Sequence, residues 1–401
     1  MNYENSYKIL SDFIVNNKDW KEKLKPYMKS FNRVEFNDDW LVLMYCLFDI
    51  PEDPTLFELI KRCRGTVVNV KSGEVICAPF LKFWNAGEKF AADIDWDSAK
   101  VTHKRDGWIY KAFVYNGSAY FASNGMTVSQ ENPGAPVGKI PGKPELSRMA
   151  DVLKRAWKFG CNEDLIFDEN DGHLTALQNS WLYKFGENCT FCFELESPWN
   201  KLHTELVDDA KLWLIMARDS AGDEHDVWTD EKLVICSFER PRVFDWKTEK
   251  EMTEALKSWT AKANGEGVVV VDKNFNRVKI KIEDYRRLKF QSESSDYSDN
   301  RLFKYFINDE IDDLIAVNKT LLPRIEIMRE KLAKLEKLFK NREKQAKQLK
   351  DKYDRANFYQ KAPKELHYFY NKNADELKES YINRWKTKTQ GFTELCSLVD
   401  N

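Results

Sequence analysis

The sequence predicts an α+β chain in which a strand-rich domain is followed by an all-helical one. Short apolar runs separated by turn residues recur through residues 61–290 and predict antiparallel strands. Further on, the apolar residues recur every three or four positions, which is typical of helices. We therefore expect a sheet domain over residues 1–300 and a helical domain over residues 301–401, joined near the serine-rich stretch Ser292–Asn300.

Composition bounds the class of protein. A chain of 401 residues can hold two domains and a sizeable core. The formal net charge of −2 excludes a global polycation, so any nucleic-acid binding must come from local basic patches. No stretch reaches transmembrane length, and no apolar run follows Met1, so we expect a soluble cytoplasmic protein without a membrane partner. The eight scattered cysteines predict reduced thiols rather than a zinc site.

Helices are predicted at three places in the first domain. Tyr7–Val15 and Trp40–Phe48 show helical patterning, and so does Pro144–Phe159. Prolines and glycines cluster over Ser129–Pro144, which predicts a long loop before the third helix.

A first β-hairpin is predicted from Gly65–Val70 and Glu74–Phe80, which are separated by Lys71-Ser72-Gly73. Arg64 and Lys82 flank the two strands. The sequence therefore places both cations at one end of a sheet.

A second β-hairpin is predicted from Trp108–Tyr115 and Ser118–Ser123, because Asn116-Gly117 between them is a strong turn signal. Lys104-Arg105-Asp106-Gly107 then lies on the loop that enters this hairpin. Gly107 has no Cβ, so the backbone there can come near a ligand.

The strand predicted over Thr190–Glu196 alternates with a period of two. Its phenylalanines point one way, while Glu194 and Glu196 point the other. Such acids indicate either an exposed polar face of a sheet or a binding site, and Glu196 could be a bystander in either case.

Two further strands carry charges at informative positions. Glu266-Gly267 opens Val268–Val271, a continuously apolar run typical of a strand buried on both faces, so the acid is well placed to hold a metal ion. In Val278–Ile282 the alternation puts Lys279 and Lys281 on one face. Two ammonium groups this close repel each other unless an anion such as a triphosphate lies between them, although an ordinary edge strand also carries lysines.

The order of these segments is more specific than any one of them. Along the chain stand Arg64-Gly65, Lys82-Phe83-Trp84-Asn85, Lys104-Arg105-Asp106-Gly107, Phe193-Glu194, Glu266-Gly267 and Lys279-Ile280-Lys281. This set resembles the covalent nucleotidyltransferases, and among them the ATP-dependent RNA ligase 1 family of phages. The resemblance covers about residues 40–315.

The resemblance implies a nucleotidyltransferase (ligase adenylation) domain that joins RNA ends. Lys104 would attack ATP to form lysine–AMP, after which AMP passes to the RNA 5′-phosphate and the 3′-hydroxyl expels it. A free lysine amine is protonated at neutral pH, so the site must favour the neutral form. We expect Arg105, together with Lys279 and Lys281, to supply positive charge for this purpose and for the phosphates.

The resemblance also implies further site residues. The nucleotide would be bound by Tyr45, Arg64, Lys82, Asp106, Gly107, Glu194, Glu266, Lys279 and Lys281. Magnesium or manganese would be held by Glu194, Glu266 and Asp312. Position 108 departs from the family, because Trp108 stands where a small hydroxyl residue is usual.

The implied partners are RNA with 5′-phosphate and 3′-hydroxyl ends, such as nicked tRNA in RNA repair, and an end-healing kinase or phosphatase. A phage protein would act in the host cytoplasm.

Two alternatives are other members of the superfamily. DNA ligases and GTP-dependent capping enzymes usually carry an OB-fold after the nucleotidyltransferase domain, whereas this sequence predicts helices there. A non-catalytic RNA-binding protein on a ligase fold is the remaining alternative.

The segment Arg324–Lys352 is basic, because it contains eleven Lys or Arg and only five Asp or Glu. Such a segment indicates either a solvated helix or a basic helix face that steers RNA.

Overall fold

The computed structural model describes residues 7–45, 51–137, 143, 145–168, 174, 181–199, 207–233, 236–291, 297–307 and 310–348. These residues separate into two compact units, the first up to Lys289 and the second from residue 290 onward. The sequence predicts the boundary at residue 300, and the functional division that it implies stays a prediction.

The described residues contain eleven α-helices. They are α1 (Lys8–Asn16), α2 (Trp20–Leu24), α3 (Pro54–Arg62), α4 (Met149–Cys161), α5 (Trp181–Phe185), α6 (Glu249–Leu256), α7 (Ala261–Asn264), α8 (Glu283–Gln291), α9 (Asp299–Ile307), α10 (Ile311–Val317) and α11 (Leu322–Gln348). The first and third predicted helices are confirmed by α1 and α4. Helix α4 begins later than predicted because the Asp151 carboxylate accepts a hydrogen bond from the Arg148 N–H and caps it there, at 2.8 Å.

The described residues also contain fifteen strands. They are β1 (Met28–Val34), β2 (Asn37–Tyr45), β3 (Arg64–Asn69), β4 (Val75–Cys77), β5 (Trp84–Asn85), β6 (Lys100–Lys104), β7 (Trp108–Tyr115), β8 (Ser118–Ser123), β9 (Thr127–Val128), β10 (Thr190–Glu196), β11 (Lys211–Arg218), β12 (Glu224–His225), β13 (Val243–Phe244), β14 (Gly267–Val271) and β15 (Arg277–Lys281). Both predicted hairpins are present, as β3–β4 and β7–β8. The second turns at Asn116 and Gly117, which have φ of 50° and 73°.

The helix predicted over Trp40–Phe48 is wrong, because the described part of this segment forms strand β2. This strand lies between β1 and β3 in its sheet. Trp40 and Val42 pack into one core cluster, and Leu41 and Leu43 are buried as well. Burial on both faces removes the alternation that identifies a strand, and a short apolar run then looks the same as a helix. Residues 46–48 lie outside the described residues.

Three sheets form the first unit, which is mixed α/β and mainly antiparallel, as predicted. Their strand orders are β1-β2-β3-β4, β12-β11-β10-β7-β8-β9 and β13-β6-β14-β15-β5. Among the pairs between named strands in the described part of the chain, β15 with β5 alone is parallel.

The six-stranded sheet is packed on both faces. On one face Phe191 and Phe193 of β10 lie in a large apolar core, where Phe193 contacts Trp157 of α4. On the other face Phe113 of β7 packs with Trp40 of the four-stranded sheet. This two-sided burial fixes β10, whose acids form part of the candidate site.

The five-stranded sheet has β14 near its centre, between β6 and β15. Val268 and Val270 are buried against Met252 of α6, which confirms the strand predicted from the valine run. Val278 packs in the same cluster, so the lysines of β15 face away from it.

The described residues of the second unit are helical up to residue 348. Ile325, Met328 and Leu332 of α11 are buried, as the 3–4 spacing predicts. At the start of α11, Arg324 Nη2 donates a hydrogen bond to Asp299 Oδ1 at 2.6 Å. Nowhere in the described residues is a helix both long and apolar enough to cross a membrane.

Candidate active site

Three residues of the candidate site lie side by side across the five-stranded sheet. Strand β6 ends at Lys104, which is paired with Gly267 of β14, and Gly267 is paired in turn with Lys281 of β15. Paired residues in antiparallel strands share a face, and neighbouring strands lie about 4.8 Å apart. The backbones of the two lysines are therefore about 10 Å apart, with both side chains on one face.

Glu266 links these two lysines. Its Oε2 accepts a hydrogen bond from Lys104 Nζ, and its Oε1 lies 3.3 Å from Lys281 Nζ. Burial disfavours the charged form of this carboxyl, but the two ammonium groups outweigh it and lower the pKa of Glu266. The carboxylate is thus an anion shared between two cations.

Gly267 is required at the centre of this row. Its φ is +145°, and a Cβ there would lie 2.1 Å from the backbone oxygen of Ile280. Any other residue would push β14 away from β15 and so separate Glu266 from Lys281.

Lys279 lies two residues before Lys281 and shares its face. It pairs with Val269 of β14 and, in parallel, with Asn85 of β5. This pairing brings the Lys82-Phe83-Trp84-Asn85 segment next to the lysine strand, although the two are far apart in sequence.

Glu194 reaches the same group from β10 of the six-stranded sheet. Burial, together with the negative charges of Glu266 and Asp106, raises the pKa of Glu194 to about 8, although Lys104 and Arg64 oppose the shift. These interactions bring together five of the predicted site residues. Without a bound cation, Glu194 is mostly protonated at neutral pH.

Asp106 and Gly107 hold the loop after Lys104 against the core. The buried Asp106 accepts a hydrogen bond from the Tyr285 hydroxyl at 3.0 Å. A Cβ on Gly107 would lie 2.4 Å from the Leu195 backbone oxygen. The lack of a Cβ at Gly107 therefore lets the backbone of β10 approach the loop, while its approach to a ligand stays a prediction.

Arg105, which the sequence analysis expects to supply positive charge to Lys104, is paired with Glu196. Its Nε donates to Glu196 Oε2 at 2.7 Å and its Nη2 donates to the same oxygen. The guanidinium also lies 4.1 Å from the ring centroid of Trp213, whose indole N–H donates to Glu196 at 3.0 Å. Glu196 is fully buried, so it is neither a bystander nor part of an exposed face.

His103 is a supporting residue that the sequence analysis missed. Its Nδ1 accepts from Arg105 Nη1 at 3.0 Å, so Nε2 carries the hydrogen and donates to the Asn264 backbone oxygen at 2.7 Å. Burial, together with the nearby Arg105, lowers the pKa of His103 to about 4. A neutral imidazole thus ties the end of β6 to the turn before Glu266.

Arg64 and Lys82 each lie against aromatic rings at the end of the first hairpin. The Arg64 guanidinium carbon is 4.6 Å from the Phe80 ring centroid. Lys82 Nζ lies 5.5 Å from the ring of Tyr45 and 5.7 Å from that of Trp84. Tyr45 therefore contacts a predicted site lysine, while its role in an adenosine pocket stays a prediction.

Lys111 on β7 is a second residue that the sequence analysis missed. It is fully buried, and its Nζ donates to the Gly65 backbone oxygen at 2.6 Å. The available signal was a charged residue in the middle of the apolar run Trp108–Tyr115.

The carboxylates of the site suit a hard divalent cation only in part. Within the described residues, no group of three or more His, Cys, Asp or Glu could hold a metal ion. Mg²⁺ is commonly bound by one or two carboxylates together with substrate phosphates, so Glu194 and Glu266 fit such a shared site. Asp312 lies on α10 of the second unit, 3.6 Å from Arg329, and its metal role stays a prediction.

No protein-family model and no curated protein matches the sequence. Among solved structures, the chain is similar to a Naegleria gruberi RNA ligase, as a lysine-to-alanine variant with ATP and Mn, at 10% identity and a TM-score of 0.35, over 49% of this chain and 53% of that chain. For a lysine-to-methionine variant of that ligase with AMP and Mn, the identity is 10% and the TM-score 0.35, over 49% of this chain and 53% of that chain. For the form with PPi, the identity is 10% and the TM-score 0.32, over 49% of this chain and 53% of that chain. The chain spans about half the length of these solved chains.

Proposed function

We propose that this chain is an ATP-dependent RNA ligase of the RNA ligase 1 type that acts through a covalent lysine–AMP intermediate. The observation that carries the proposal is the shared carboxylate of Glu266, which lies between Lys104 and Lys281 on one face of a sheet. Glu194 interacts with the same group from a second sheet. Residues that are scattered over the sequence in the order of the ligase motifs therefore converge on one amine.

In the first step Lys104 Nζ attacks the α-phosphorus of ATP. A P–N bond forms, the bond from the α-phosphorus to the pyrophosphate oxygen breaks, and the amine loses a proton. Lys279 and Lys281 share the face of the nucleophile, so they are placed to stabilise the negative charge that develops on the phosphates. Arg64 and Lys82 would bind the same phosphates from the hairpin side.

The geometry implies that Lys104 is held back until a nucleotide binds. Its amine hydrogen-bonds to the carboxylate of Glu266, whose pKa is lowered. Before attack, the amine must therefore leave Glu266 and lose its proton.

Glu194 and Glu266 would hold Mg²⁺ or Mn²⁺ together with the phosphates. A bound divalent cation would neutralise phosphate charge and polarise the phosphorus. Glu194 must give up its proton before it can act as a ligand. Metal binding should therefore strengthen as the pH rises toward about 8, which is the pKa of Glu194.

In the remaining steps AMP passes from Lys104 to an RNA 5′-phosphate, and a 3′-hydroxyl then expels it. We propose nicked tRNA in RNA repair as the substrate, with an end-healing kinase or phosphatase acting first. The protein would be cytoplasmic, in the host cell if its source is a phage.

We propose that α11 contributes RNA binding. Lys334, Lys337 and Lys344 are exposed on this helix. Their joint replacement by Ser should weaken RNA affinity and flatten its salt dependence while leaving self-adenylylation unchanged. Unchanged affinity and salt dependence would reduce α11 to a scaffold.

The decisive experiment is to incubate the protein with labelled ATP or GTP and Mg²⁺ and to separate it on a denaturing gel. We expect a labelled band from ATP alone that requires the divalent cation. Labelling from GTP alone would favour a capping enzyme, and a folded protein that binds RNA without labelling would favour a binding protein. Sealing of 5′-phosphorylated RNA but not DNA separates RNA from DNA ligase.

A further inference from the structure

Lys111 is a fully buried lysine that none of the proposed chemical steps uses. Lysines are almost never wholly buried unless they are paired. Burial, and to a smaller extent the nearby Arg64, lowers the pKa of Lys111 to about 8, while the thiols of Cys77 and Cys192 act against this shift. Its position in the centre of β7 costs stability that an apolar side chain would not cost.

The contacts of Lys111 point to the strand that begins with Arg64. Its Nζ donates to the Gly65 backbone oxygen at 2.6 Å. Gly65 has φ of +78°, and a Cβ there would lie 2.3 Å from Lys111 Nζ and 2.7 Å from the Asn124 backbone oxygen. The peptide next to Arg64 is thus held between the buried amine and the chain after β8.

Arg64 interacts electrostatically both with this buried amine and with the candidate active site. Its positive charge acts on Lys111 and also on Glu194. Its guanidinium carbon lies 4.6 Å from the Phe80 ring centroid and 5.6 Å from that of Phe83. Rings restrain the guanidinium on one side, and the bond from Lys111 restrains its backbone.

We propose that Lys111 is a positioning residue for the nucleotide phosphates that acts through Arg64. It fixes the Gly65 carbonyl, which sets where the Arg64 guanidinium points. This inference rests on the proposed function, because it needs Arg64 to bind ATP phosphates.

The first test is Lys111→Met, which removes the charge, shortens the unbranched side chain by one atom and is compatible with the core. We expect the KM for ATP in self-adenylylation to rise about 10-fold, the scale of a lost hydrogen bond from a charged group, with kcat changed less than KM. Lys71→Met is the matched control, because Lys71 lies at the exposed turn of the β3–β4 hairpin, which begins at Arg64, and pairs with Asp39 at 2.7 Å. It should leave KM unchanged.

A double-mutant cycle with Arg64→Ala separates positioning from a general structural role. If Lys111 acts through Arg64, Lys111→Met should raise KM no further once Arg64 is Ala. Effects that multiply in the double variant would overturn the inference, even if Lys111→Met alone is impaired. Gly65→Ala, which collides with the Lys111 amine, should raise KM in the same way.

Calorimetric measurement of ATP binding keeps this inference distinguishable from the proposed function. A wild-type protein that labels itself, combined with an unchanged KM and ATP affinity in Lys111→Met, would overturn this inference alone. A wild-type protein that binds ATP without labelling would overturn the ligase proposal, and the same cycle would then be measured on the dissociation constant. A folded protein that binds no ATP would overturn both.

Discussion

Lys104 and Arg105 are neighbours in sequence, and each pairs with a glutamate, yet the two pairs are built differently. The Lys104 side chain is 20% exposed, and its partner Glu266 is shared with Lys281. The Arg105 side chain is 9% exposed and its partner Glu196 is fully buried. Arg105 donates twice to one oxygen, stacks on Trp213 and also donates to His103.

If Lys104 is the nucleophile, as proposed, this difference separates the reacting cation from a structural one. Lys104 can leave Glu266 without exposing an unpaired buried charge, because Lys281 continues to compensate the carboxylate. Arg105 cannot leave Glu196, since the guanidinium is held on several sides and the carboxylate would stay buried without its charged partner. The number of partners and the access of solvent therefore distinguish the two cations.

Replacing each of the two cations by Met should show the largest difference between the two pairs. Lys104→Met should abolish self-adenylylation, because no other amine occupies the end of β6, while the melting temperature changes little. Arg105→Met should lower the melting temperature far more and keep some labelling in the fraction that stays folded. Labelling that persists in the Lys104 variant would contradict the assignment of the nucleophile.

The stability of the Arg105 pair gives the next largest effect. Arg105→Met or Glu196→Gln alone should lower the free energy of unfolding by about 3–5 kcal/mol, because each breaks a buried ion pair. The double variant should lose less than the sum of the two, since neither charge is then left alone. Urea unfolding measures all three variants, and strictly additive losses would show that the pair is not coupled.

The lysines of β15 test the Lys104–Glu266 side of the comparison, because Lys281 shares Glu266 with Lys104. Lys279→Ala and Lys281→Ala should each reduce the rate of self-adenylylation at least ~100-fold, the scale for removing one electrostatic contact to a transition state. Lys273→Ala, at the turn before β15, is the control, because its side chain is 66% exposed and pairs with Asp95. Wild-type rates in a folded Lys279 or Lys281 variant would mean that this lysine is only a surface residue.

The smallest predicted effect is on the pH dependence of stability. Burial, with Glu266 and Asp106, raises the pKa of Glu194 to about 8, above the value of about 4.3 in an unfolded chain. The folded protein therefore binds this proton more tightly, and Glu194 lowers the free energy of unfolding as the pH rises from about 4.3 to about 8. The melting temperature of Glu194→Gln should consequently rise relative to the wild type across this window and stay level above it.

Glu266→Gln is the matched control for that measurement. The pKa of Glu266 is lowered, so its stabilising contribution is complete above about pH 4.3 and is lost as the pH falls below that value. The advantage of the wild type over this variant should therefore shrink in acid. A constant difference between wild type and Glu194→Gln from about pH 5 to pH 8 would contradict the shift at Glu194.

Much of the site could be predicted because its signals are local. The turn at Asn116-Gly117 fixes the second hairpin, and the period of two in β15 fixes a shared face for Lys279 and Lys281. Both depend on neighbouring residues only. The helix predicted from Trp40 failed for the complementary reason, because residues distant in sequence pack on β2 and bury both of its faces.

The sequence by itself determined which charged residues are available, in which order, and on which face of each strand they lie. Tertiary structure alone decided which carboxylate meets which cation. Lys104 pairs with Glu266 across 162 positions of sequence and Arg105 with Glu196 across 91. Periodicity has no information about partners at such distances, because they are set by how strands from separate segments pair and how the sheets pack. The same packing buried Lys111 behind Arg64, although its charge in an apolar strand was already visible in the sequence.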